Sequence, residues 1–438
     1  MNKCMKKTLF FLFLLCSCTI FSQKSDKMLK VDAMHEDLDY FYATLLETHP
    51  YPYLIISQDT WKQTIDSLKT SITTPLTIKE FLIKISVLNK YLDAHSKIAG
   101  PKKILKKMKA PLDLPFFEED DNQRVFVMDA KTGDTIELLS VDNKPLEEIR
   151  SFCKDRYSLV EPMKDANFLN YMRWYCNTNL ITDSVCYTYK DKNGNTLLAH
   201  FKRNKEKKDI KSLRQYNLIC DSINSVALME INTFMPKLIR MGKYKKDVGK
   251  YFNELKDKNI NTLFIDVSCN SGGSVALVNW LASFFIKESS IYVGTDTQKF
   301  SKHRNKQKLD WLVYNNREGF VQKKSYWNTT SSEPKFFGNV YVIQSRDSFS
   351  GASVFASLMQ YYVKNCKIIG EEGEVKAFYA DPLIFTMPNS KLRFSLSSMY
   401  GRFVGKDKQK GVVPDIHYNI YDSQKIFSIE DVMNMTER

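Results

Sequence analysis

After Cys18 the sequence has no apolar run long enough to cross a bilayer as a helix, so no later segment is expected to span a membrane. No CxxC pair occurs, which argues against a zinc site or a thioredoxin-like redox site. HExxH and other metal-ligand spacings are missing as well, so neither a metal nor another cofactor is implied. Basic clusters such as Lys102-Lys103, Lys106-Lys107 and Arg203 to Lys208 lack aromatic interleaving and any nucleic-acid fold signature. They read as a solvated surface suited to anionic envelope surfaces, not to nucleic acid. There is no internal repeat and no long low-complexity linker.

What is present is the composition of a soluble globular protein, 438 residues with 43% hydrophobic and 26% charged side chains, enough for two or three domains. Lys3, Lys6 and Lys7 precede the apolar run from Thr8 to Cys16, the pattern of an export signal over residues 1–22. Leu15-Cys16-Ser17-Cys18 resembles a bacterial lipoprotein box, and lipidation of Cys18 would anchor the chain; cleavage after Ser22 would release it. The expected location is therefore periplasmic, secreted or membrane-anchored. Loss of the three leader lysines takes the formal charge from +14 to +11. Six cysteines remain, at positions 153, 176, 186, 220, 269 and 366, and read as scattered thiols in a chain too long to need disulfides.

Residues 28–108 carry helical periodicity. Leu38, Phe41 and Leu45 share one face, as do Trp61, Ile65 and Leu68, and Thr77-Ile78-Lys79-Glu80 reads as a capping box. Residues 109–215 change to short strands and turns, such as Val125 to Met128 and Val185 to Tyr189. Within them Gly133 to Leu146 resembles the strand–turn–strand of a PDZ-like domain, which binds peptides by strand addition; a small β domain without ligand fits equally well. From 216 to 438 strands and helices alternate, predicting a layered α/β core. The lysine-rich stretch Lys299 to Lys308 is expected to be an exposed loop.

Inside that core, the strand-like run Asn339 to Ser345 leads through Asp347-Ser348-Phe349-Ser350-Gly351 into the helix-like run Ala352 to Val363, and Cys366 to Gly370 follows as a strand. A serine at such a turn is usually a helix N-cap. It is also where a nucleophile is held clear of the backbone ladder. Earlier, the strand Thr262 to Val267 runs into Asn270-Ser271-Gly272-Gly273 and a helix, which sets unhindered amides at a helix N-terminus, a geometry suited to an anion or an oxyanion.

Asp266 to Gly273, Ser350-Gly351-Ala352-Ser353, Gly370 to Lys376, Met387 to Leu392 and Gly411-Val412-Val413-Pro414-Asp415-Ile416 together resemble the ordered motifs of the tail-specific, or C-terminal processing, serine peptidases. The helical and PDZ-like segments match that family's upstream layout. The resemblance implies a crotonase/ClpP-like α/β core cleaving peptide bonds of protein substrates, with Ser350 as nucleophile and the amides of Gly351 and Gly273 or Gly272 as the oxyanion hole. It offers two bases. Lys376 matches the lysine of the family's Ser-Lys dyad, although Ala380 stands where a glutamine orients that lysine. His95, in Asp93-Ala94-His95-Ser96, looks like the Asp-Gly-His-Thr motif of tricorn-type and interphotoreceptor-retinoid-binding-protein-like branches. Asp407 is a further carboxylate near the last motif, and His49 reads as structural. Ser268 replaces the family's usual arginine and Ser353 a common glutamate, so a catalytically degenerate peptide-binding homologue is the rival reading, and a hydrolase of another ester or amide a third. Oligomeric state is not set by the sequence.

Overall fold

The computed structural model describes residues 28–53, 55–99, 117–119, 124–128, 135–156, 175, 184–191, 193–202, 215–236, 238–303, 319–329, 333–373, 377–404, 411–420 and 427–436. Near the start of the chain, β1 (Met28–Leu29) precedes α1 (Val31–Thr48) and α2 (Gln58–Thr70), and β2 (Leu76–Thr77) pairs back with β1 and opens α3 (Ile78–Ile85). The apolar positions expected on one face are the buried ones: Leu38, Phe41 and Leu45 on α1, Trp61, Ile65 and Leu68 on α2. The capping box is formed, with Thr77 N–H on Glu80 Oε2 (2.8 Å) and Glu80 N–H on Thr77 Oγ1 (3.2 Å). Through β3 (Lys97–Ala99) the helical segment joins a sheet of the core.

The next segment is a meander. It contains β4 (Phe117–Glu119), β5 (Val125–Met128), β6 (Thr135–Val141), β7 (Lys144–Pro145), α4 (Leu146–Lys154), β8 (Ser184–Lys190) and β9 (Thr196–Lys202), with sheet order β4-β5-β6-β8-β9 and β7 against β6. Asp142 and Asn143, both at positive φ, make the tight turn between β6 and β7.

The rest of the chain is mixed α/β. It runs β10 (Tyr216–Asp221), β11 (Val226–Ile231), α5 (Met241–Asp257), β12 (Thr262–Asp266), α6 (Val275–Ala282), β13 (Ser290–Phe300), β14 (Gly319–Asn328), β15 (Asn339–Gln344), α7 (Gly351–Tyr362), β16 (Cys366–Gly370), β17 (Ala377–Thr386), β18 (Arg393–Phe403), β19 (Ile416–His417) and α8 (Ile429–Asn434). One sheet has the order β10-β11-β12-β15-β16-β19, parallel except at the β10 edge. All six residues of β11 are buried, as a strand covered on both faces requires. On α5, Tyr244, Val248, Phe252 and Leu255 form the buried stripe, and Phe252 stacks on Phe284 with centroids 3.8 Å apart.

A second sheet, β14-β13-β18-β17, takes β3 alongside β18. Its β17–β18 hairpin shares one core with α1, α2 and α3 through Leu383, Phe385, Phe394 and Leu396, so the helical segment packs onto the α/β part instead of burying its faces within itself. The Met387 to Leu392 motif is the turn of this hairpin. Its Asn389 and Ser390 amides donate to the buried Asp37 of α1, each at 2.8 Å. Lys299, expected in a loop, lies instead in β13: its stem is half-buried, and its ammonium donates to the carbonyls of Leu46 (2.5 Å) and His49 (3.1 Å) at the end of α1. Strand pairing and those two carbonyls override the charge signal; residues 304–308 lie outside the described residues. Among the described residues no two cysteines form a disulfide, and no described helix is long and apolar enough to cross a membrane.

Candidate active site

β12 and β15 are parallel neighbours, so the turns that leave their carboxyl ends lie side by side above the sheet. The sequence stitches these turns together with small polar residues. Ser345 Oγ donates to the Ser268 carbonyl (2.5 Å), Ser348 Oγ to the Val267 carbonyl (2.7 Å), and Phe349 N–H to the Asn270 carbonyl (3.1 Å). Each of these donors and acceptors is fixed by a neighbouring turn, which leaves little freedom to the residues that follow.

Ser350 occupies the N-cap position of α7 at φ 53° and ψ −114°, and its side chain makes no capping bond to the helix. The ordinary explanation of a serine at this place is therefore not the one the fold uses. A non-glycine residue in that region of backbone space costs on the order of 1–3 kcal/mol, strain that persists only where the surroundings impose it. The residue is partly exposed, so its hydroxyl is within reach of an incoming molecule.

The glycines opposite are required by contact as much as by dihedral. A Cβ on Gly272 (φ +89°) would lie 2.6 Å from the Gly351 amide nitrogen and 2.8 Å from Ser350 Cβ. One on Gly273 (φ +141°) would fall 2.2 Å from the Phe234 carbonyl carbon. The two candidate amides also differ in what they are bonded to. Gly272 N–H donates to Asn270 Oδ1 (2.8 Å), and Asn270 is itself held by its Nδ2 on the Ile231 carbonyl (2.8 Å). Among the described residues, the amides of Gly273 and Gly351 have no acceptor. Gly273→Ala is expected to push the turn away from Phe234 and lower kcat by ~100-fold or more, the scale of losing one oxyanion donor; steady-state peptide turnover beside an unchanged circular-dichroism spectrum checks it.

His95 arrives from the other end of the chain. Its ring lies on that of Phe349, the residue before Ser350, with centroids 4.5 Å apart and planes at 32°. The turn that carries it is pinned by buried Asp93, whose Oδ1 accepts from the His95 amide (2.9 Å), the Ser96 amide (3.2 Å) and Ser397 Oγ (2.9 Å). Ser395 Oγ in β18 donates to the His95 carbonyl (2.8 Å). Because the Tyr51 amide donates to His49 Nδ1 (3.2 Å), the His49 proton sits on Nε2 and is donated to Asp93 Oδ2 (3.0 Å). His49 is thus a buried support of Asp93, in line with its structural reading.

Burial pushes the His95 imidazole below its ordinary value, against the pull of the Asp93 and Asp381 carboxylates, so the ring is neutral at neutral pH. For Asp93, burial pushes the carboxyl up, but its hydrogen bonds, from His49 first and then Ser96, outweigh it and hold the group below the usual range. Asp381, which the sequence did not single out, sits in β17 at φ 49° with its carbonyl accepting from Ser398 Oγ (2.8 Å). An Asp-Pro pair inside a strand was the available signal for such a special position. Burial raises the carboxyl of Asp266, at the end of β12, to about 6. Lys376 and Asp407 lie outside the described residues.

The fold and this geometry put the protein in the class of serine hydrolases built on an α/β core. Residues 225–418 match the model of peptidase family S41, the tail-specific or C-terminal processing group, and this match marks the protein as a serine peptidase, an activity that implies protein or peptide substrates. Mature CPAF is similar over 88% of this chain and 92% of its own, at 14% identity and a TM-score of 0.60. Mature CPAF complexed with lactacystin gives 14% identity, 88% and 93% coverage and a TM-score of 0.60. The photosystem II D1 C-terminal processing protease aligns at 13% identity over 92% of this chain and 96% of that one, with a TM-score of 0.49. At such identities the first two show a shared fold. A comparison with curated proteins finds no matching sequence.

Proposed function

We propose that this protein is an exported serine endopeptidase that cleaves protein substrates through an acyl-enzyme on Ser350. His95 takes the Ser350 proton as the hydroxyl attacks the scissile carbonyl, and the amides of Gly273 and Gly351 receive the oxyanion. His95 then returns the proton to the leaving amine, and water repeats the sequence on the ester. The observation that carries the reading is the strained Ser350, with no capping bond to its helix, beside two glycine amides that have no acceptor among the described residues. Gly272, whose amide is held by Asn270, shapes the turn rather than donating to substrate.

The apolar, lysine-flanked leader supports export, with anchoring at Cys18 or release after Ser22 as the two forms, in a periplasmic, secreted or membrane-tethered setting. The arrangement of β11, β12, β15 and β16 with α6 and α7 supports a crotonase/ClpP-like core, and the β6–β7 turn in its small sheet supports a PDZ-like peptide-binding module.

Mass-spectrometric mapping of a fluorophosphonate adduct tests the proposal: the adduct is expected on Ser350, and modification elsewhere or none at all overturns it. The pH dependence follows from the direction of the His95 shift. With its pKa below the ordinary value of about 6.5, kcat/KM should rise through a midpoint below that value and stay level through neutrality. A midpoint well above 7 in a series of buffers would remove His95 as the base.

A further inference from the structure

We propose that the cavity between the α1–α2 connection and the β13–β14 hairpin is a substrate subsite for a bulky apolar side chain, aromatic or branched aliphatic, of the peptide bound at Ser350. The inference rests on the peptide-cleaving reading above. The cavity measures about 460 Å³, within the range of small-ligand sites. Its walls are Leu46, Pro50, Tyr51, Pro52 and Tyr53 on one side and Phe320 of β14 on the other.

The chemistry of these walls selects the occupant. Tyr51, Tyr53 and Phe320 leave 40%, 38% and 56% of their surfaces exposed, an aromatic lining that a matching apolar group would cover. The ammonium of the lining is turned to other partners. Lys299 donates its ammonium to the carbonyls of Leu46 and His49. A charged or strongly polar side chain would thus give up hydration there with little in return.

Position ties this cavity to catalysis. The Tyr51 amide holds His49 Nδ1, His49 holds Asp93, and Asp93 holds the His95 amide, so the aromatic wall and the proposed base are joined by three consecutive hydrogen bonds. Tyr51 also packs edge-on against Tyr400 of β18, the strand that carries Ser395 and Ser397 beneath the His95 turn. A side chain seated in the cavity would therefore lie against the unit that holds the His95 turn, which is why a peptide at Ser350 is the proposed occupant.

The test uses Ser350→Ala protein, so that binding is read without cleavage. Fluorescent peptides carrying one Phe, Leu, Gly, Asp or Lys in turn at each position of a Gly/Ser background are titrated by anisotropy. At one position Phe or Leu should bind ~10-fold or more tighter than Gly, Asp or Lys, the scale of burying one such side chain. Adding Phe320→Ala, a change at a mostly exposed residue, should erase that preference.

No binding, no apolar preference at any position, or a preference that survives Phe320→Ala overturns the proposal. So does a concentration-dependent dimer that Phe320→Ala dissolves, which would assign the face to a second copy. Fluorophosphonate labelling of wild-type protein reports on the peptidase reading separately. Labelling with no apolar preference removes the subsite alone, and apolar preference without labelling removes the chemistry alone.

Discussion

Ser350→Ala should abolish peptide turnover, lowering kcat by ~10⁴-fold or more, while leaving the fold intact. On the proposed mechanism the attacking oxygen is removed, and the amides of Gly273 and Gly351 then polarise a carbonyl that nothing attacks. Stability should hardly change, because the side chain makes no capping bond and alanine inherits the same positive φ. Ser350→Gly extends the result. Glycine adopts φ 53° without the side-chain clash, so it is expected to raise stability by about 1 kcal/mol while turnover stays lost. Denaturant titrations beside peptide assays separate the two effects. A serine conserving only local structure would show the reverse: alanine that keeps activity, or glycine that destabilises the chain.

His95→Ala should lower kcat by ~10³-fold or more and slow fluorophosphonate labelling of Ser350, whereas Lys376→Ala should leave both within a few-fold. The ring packs on Phe349, next to the proposed nucleophile, and burial already holds it in the neutral form a base requires. A lysine base would instead have to fall from about 10.4 by several units before it could accept a proton at neutral pH. Rates at several pH values for both variants decide the matter: a large loss in Lys376→Ala with His95→Ala near wild type would move the base to the lysine. His95→Gln, which preserves bulk against Phe349 without a basic nitrogen, guards against a loss that comes only from packing.

Much of the machinery could be read from local sequence. The strands Val226–Ile231 and Cys366–Gly370, the helix after Ser350 and the Thr77–Glu80 capping box follow from patterns of a few residues, and these are where the fold places them. Local periodicity also gave Leu38, Phe41 and Leu45 as a buried face, but not its partner. That partner is the β17–β18 hairpin, because a three-helix segment this short cannot cover its own apolar stripes. Lys299 misled in the same way: its charge signals solvent, and only carbonyls from another element explain why it runs inside a strand.

The sequence by itself determined that Ser350 and Gly272-Gly273 stand at strand-to-helix turns, since composition and glycine placement fix such turns within a few residues. Only the tertiary structure decided what those turns face. Parallel pairing of β12 with β15 sets the glycine amides beside the serine, and the side chain of Asn270 occupies one amide and leaves its neighbour unmatched. Ser96 and Ser397, 301 residues apart, meet through a hydrogen bond beside Asp93, and that contact fixes the His95 turn. Contacts across such separations depend on which surfaces bury each other, and no short window of sequence carries that information.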